Sequence, residues 1–190
     1  MTPKEIFSLI FYEGLKEAIA NIPEEHTKDV YICKLFIDNF EKNDITNVSL
    51  KYNTNAALQK QIEEIAGNWE KYAEQSCGWY GKEGTISHAK TVEFRQIAEN
   101  LSEEDSWKRL PIKIDFYAYK NYLDWKNQID YTDEDDKEYE FSAQHFKNLM
   151  VELGEKLFDE EIILRKFGKK ISFFVECECD EDDEIDVLQV

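Results

Sequence analysis

Residues Asp29 to Phe40 read DVYICKLFIDNF, and this stretch decides the fold. One alternating set is Tyr31, Cys33, Leu35 and Ile37; the other is Val30, Ile32 and Phe36, interrupted by Lys34. A strand apolar on both sides needs cover on both faces, which predicts a central strand. Thr46–Tyr52 reads as its neighbour. There Thr46, Val48, Leu50 and Tyr52 alternate against Asn47, Ser49 and Lys51, the pattern of a half-buried strand. The polar link Glu41-Lys42-Asn43-Asp44 is short enough for a hairpin.

Before this hairpin the sequence predicts a helix. Thr2 is a cap, Pro3 suits the first helical position, and Glu5 completes a capping box. Ile6, Leu9, Ile10, Phe11, Leu15, Ala18 and Ile19 form a wide apolar face, with Gly14 suited to close packing on the sheet. Asn21-Ile22-Pro23 ends it. After the hairpin, Asn53-Thr54-Asn55 offers cap residues for a second helix lined by Ala57, Leu58, Ile62, Ile65 and Ala66 and broken at Gly67-Asn68. The stretch Cys77 to Gly84 holds three glycines among Trp79 and Tyr80, and it reads either as a packed loop or as a recognition surface.

Further helices are predicted from Ser87 to Leu101 and, after a break at Leu110-Pro111, from Phe116 onward. In the latter, Phe116, Tyr119, Leu123 and Ile129 set the inner face, widened by Tyr117, Tyr122 and Trp125. Phe146, Leu149, Met150, Leu153 and Leu157 make the clearest late helical stripe. Ile162-Ile163-Leu164 and Thr85-Ile86 are each candidates for a short strand. ISFFVECEC, from Ile171 to Cys179, alternates as a strand with one core face, and Val187, Leu188 and Val190 can return to the body. The expected architecture is one acidic α+β domain over residues 1–190, a small and mainly antiparallel sheet with several packed helices.

Charge is the sharpest global property. The chain has 190 residues, 41 acids against 23 lysines and arginines, and a net charge of -18. Hydrophobic residues at 42% are enough for a core, so this charge does not imply a disordered chain. Direct nucleic-acid binding is disfavoured, because phosphate contact needs positive surface. An anionic membrane is disfavoured for the same reason, and no apolar run is long enough to span one. A basic protein is the partner class that the charge favours, through long-range steering. The oligomeric state is not encoded in any motif.

The four cysteines fit free thiols in a reducing compartment, and a cytoplasmic location is expected. His26, His88 and His145 lack metal-ligand spacing, and the acidic end lacks the glycine and terminal glutamate of a helix-loop-helix calcium site. Gly78, Gly81 and Gly84 lack the strand and lysine–hydroxyl context of a phosphate loop. No catalytic residue, cofactor or metal is assigned. Two runs stand out instead. DYTDEDDKEYE, from Asp130 to Glu140, has seven acids and one lysine, and Cys179 to Asp186 is a dense acidic stretch. The candidate binding residues are Asp133, Glu134, Asp135 and Asp136, then Asp180, Glu181, Asp182 and Asp183, with Trp79 and Tyr80 as aromatic anchors.

Three segments together carry a family resemblance: VSLKYNTNAAL (48–58), the tryptophan segment Asn68 to Tyr72, and LGEKLFDEEIILRKFGKKISFFVECECDED (153–182). The chain resembles an uncharacterised bacterial family of acidic α+β proteins, some proposed as immunity proteins of polymorphic toxin systems. That resemblance implies binding without catalysis and a basic toxin as partner. Two other readings stay open from the residues alone: an enzyme whose pocket is built from distant residues, and a housekeeping protein whose acidity serves solubility.

Overall fold

A computed structural model of the chain describes residues 1–37, 48–67, 107–130, 141–177 and 185–188. They form an α+β fold. Contacts divide the chain into two compact units, Met1–Tyr52 with Arg109–Val190, and Asn53–Lys108.

Helix α1, Pro3–Ala20, begins at a complete capping box. Thr2 Oγ1 accepts from the Glu5 N–H at 3.2 Å, and Glu5 Oε2 accepts from the Thr2 N–H at 2.7 Å. Its inner face is Phe7, Phe11, Tyr12, Leu15, Ala18 and Ile19, all buried. Gly14 earns its place against the later chain, where an added Cβ would stand 3.2 Å from Ile112 Cγ2. A four-residue helix, α2 (Glu24–Thr27), then turns the chain into strand β1, Val30–Ile37. This strand is covered on both sides as expected. Cys33, Leu35 and Ile37 are fully buried, and on the other face Ile32, Lys34 and Phe36 are also below a tenth exposed.

Strand β2 is Val48–Thr54 and lies beside β1. Val48, Leu50 and Tyr52 enter the core, but Ser49 is buried as well, so this strand is wetter in sequence than in place. The predicted hairpin link, Glu41 to Asp44, and Thr46 lie outside the described residues. Strand β3, Lys108–Pro111, forms one edge of the sheet where the sequence suggested only a break; its burial is slight, so no alternation marks it. The Ile112 N–H donates to the Val48 carbonyl at 3.1 Å just beyond it.

Helix α4, Phe116–Lys126, is capped by Asp115, whose Oδ1 accepts from the Ala118 N–H at 2.7 Å. That start corrects the predicted face. Ala118, Tyr122 and Trp125 point inward, and Phe116, in the first turn, is 83% exposed. A π-helical turn, Phe141–Phe146, leads into helix α5, Lys147–Asp159. Its stripe of Leu149, Met150, Leu153 and Leu157 is buried as read. Glu161 then takes the left-handed conformation at φ 56° and starts helix α6, Ile162–Phe167. The strand suggested at Ile162-Ile163-Leu164 is therefore helical. Three apolar residues in a row cannot distinguish a strand from a buried helical turn. Gly168, at φ 68°, closes α6 in the conformation that glycine adopts without steric cost.

Strand β4, Ser172–Cys177, keeps the predicted alternation. Ile171, Phe173 and Val175 are buried, while Ser172, Phe174 and Glu176 are half-buried. Strand β5, Ile185–Leu188, pairs antiparallel with β4, with a register irregularity at Phe173/Phe174. The five-stranded sheet has the order β3-β2-β1-β4-β5. It is mixed, because its central pair, β1 and β4, runs parallel.

Helices α1 and α4 and the π-helical turn build one aromatic cluster. Phe7 lies 5.6 Å from Phe11 and from Tyr122, 6.1 Å from Trp125 and 6.0 Å from Phe146. Trp125 meets Phe141 edge-on at 4.9 Å. Offset and edge geometries of this kind add to the burial of each ring. In the second unit, helix α3, Asn55–Gly67, begins where expected, with Thr54 Oγ1 accepting from the Ala57 N–H at 3.2 Å and Leu58 buried. The helix read at Ser87 to Leu101 and the strand suggested at Thr85-Ile86 lie outside the described residues.

Candidate functional site

Charge is distributed unevenly along the chain. Of the 41 acids and 23 lysines and arginines, 18 acids and 17 bases fall within the described residues, a net of -1. The other 23 acids and six bases carry the remaining -17. Residues 131–140 and 178–184 alone hold twelve acids and one lysine.

On the described scaffold, carboxylates are met by the chain's own cations. Glu13 pairs with Lys16 at 2.6 Å, Asp124 with Lys120 at 2.8 Å, Glu24 with Lys166 at 3.0 Å and Glu160 with Lys156 at 3.6 Å. On the sheet, Lys34 of β1 pairs with Glu176 of β4 at 3.2 Å. The solvent-exposed pairs among them, such as Lys120–Asp124, are each worth little in stability.

All ten predicted binding residues lie outside the described residues: Asp133, Glu134, Asp135, Asp136, Asp180, Glu181, Asp182, Asp183, Trp79 and Tyr80. The structure does fix where the two acidic runs attach. The run 131–140 is followed by Phe141, which is fully buried against Trp125 and Tyr122. Lys126 and Lys147, on either side of this run, are buried and engaged. Residues 178–184 join β4 to β5, so both ends of that run are held in the sheet. Parallel pairing adds a further constraint: Ile37 is the register partner of Cys177, so the described ends of β1 and β4 lie side by side on two internal strands of the sheet.

Other groups with chemical potential are quiet. Cys33 is fully buried, and burial pushes its thiol far above the usual range, so it stays protonated and unreactive. Nearby, His26 Nδ1 and the Tyr52 hydroxyl are 2.9 Å apart. Burial raises the Tyr52 phenol, helped by Cys33 and Glu25. Tyr12 donates to Glu160 Oε2 at 2.9 Å, and burial followed by this bond raises its phenol well above the ordinary value. Lys156 and Lys16 lie 4.2 and 5.0 Å from its ring. The cluster ties α1 to α5 and presents no nucleophile. Among the described residues no three His, Cys, Asp or Glu side chains converge as a metal site, and no helix is long and apolar enough to cross a membrane.

An open groove of about 640 Å³ runs along α1. Ile10, Glu13, Gly14, Lys16, Glu17 and Ala20 line it, with Lys113 on the opposite wall. Its openness to solvent fits a contact surface better than an enclosed reaction site. Phe116 and Tyr117, 83% and 56% exposed, are aromatic groups that the sequence reading assigned to the core. The aspartate before them was the available signal: a cap at Asp115 sets the helical phase and turns Phe116 outward. Compared with protein-family models, curated proteins and solved structures, the chain matches none.

Proposed function

We propose that this chain is a non-catalytic acidic binding protein that recognises a basic protein partner, in the manner of an immunity protein neutralising a basic toxin. The observation that carries the reading is charge segregation in the sequence: residues 131–140 and 178–184 hold twelve acids and one lysine, whereas the described residues hold 18 acids and 17 bases. Acidity serving only solubility has no need of such concentration, and an even scatter would do as well. A single-sign run attached at both ends to a rigid core loses less entropy on binding than a free tail. Surplus charge then sets association rate and partner sign, while apolar anchors supply affinity.

The test is a pull-down with the full chain as bait, followed by titration of the captured protein. Wild type is compared with a variant carrying Asp133→Asn, Glu134→Gln, Asp135→Asn and Asp136→Asn together with Asp180→Asn, Glu181→Gln, Asp182→Asn and Asp183→Asn. The expected result is a basic protein held by wild type with submicromolar affinity, by an association that slows with salt, and lost from the variant. Identical capture by both proteins refutes the reading.

A further inference from the structure

We draw no further inference here: the strongest candidate, the face of the sheet on which Lys51 and Arg109 lie over the Phe36 ring, carries nothing, because nothing among the described residues shows what covers it.

Discussion

The described scaffold and the two acidic runs treat charge in opposite ways. On the scaffold, several carboxylates sit beside the chain's own lysines, as in Lys34–Glu176 across the central strands and Lys120–Asp124 along α4. In 131–140 and 178–184, twelve acids face a single lysine in the sequence. A core must desolvate its neighbourhood, and unpaired charge there is costly, so balance is what packing selects. The two runs lack such balance in sequence, which is the composition that long-range attraction requires. The difference separates what holds the chain together from what gives it a sign.

That separation is easiest to break at the core. Phe7→Ala removes the ring that touches Phe11, Tyr122, Trp125 and Phe146, and it is expected to cost about 3–5 kcal/mol in chemical denaturation. Neutralising Asp180, Glu181, Asp182 and Asp183 has the converse signature. Association with a basic partner slows about tenfold, whereas the denaturation midpoint stays within about 0.5 kcal/mol of wild type. A large loss of stability in that variant would place those acids in the packing after all.

Two smaller effects sharpen the scaffold side. The Tyr12 phenol is raised in the folded chain, so its contribution is complete below the unfolded value of about 10 and fades as pH rises beyond it. Melting temperature is thus expected to fall from about pH 9 to 11, and less so in Tyr12→Phe, which itself loses about 1 kcal/mol at neutral pH with the Glu160 hydrogen bond. The Tyr52 phenol shifts in the same direction, so part of the alkaline loss survives in the variant. Glu161→Gly relieves a left-handed backbone and is expected to stabilise by about 0.5–1 kcal/mol with no effect on association.

Much of the scaffold was legible because local chemistry and packing agree there. Thr2, Pro3 and Glu5 announce α1, and the capping box forms as read. Leu149, Met150, Leu153 and Leu157 announce α5, and all four are buried. What escaped the reading depended on partners far along the chain. Lys108–Pro111 becomes a strand only by lying beside β2, and the parallel pairing of β1 with β4 joins segments about 140 residues apart. Ile162-Ile163-Leu164 read equally well as extended until the left-handed turn at Glu161 set a helix going. For the candidate site, composition revealed which runs carry the surplus acid. Only the register Ile37↔Cys177 revealed that the described ends of β1 and β4 are neighbours.

The most direct measurement removes equal charge from the two regions. One variant neutralises Asp180, Glu181, Asp182 and Asp183; the other neutralises Glu25, Glu64, Glu155 and Asp159 on the scaffold. Association rates of both with the captured basic partner are then measured over a range of salt. The account predicts that the first variant loses most of the salt-dependent rate and the second keeps most of it. Equal losses in both would contradict it, since net charge alone, wherever it is placed, would then explain the attraction.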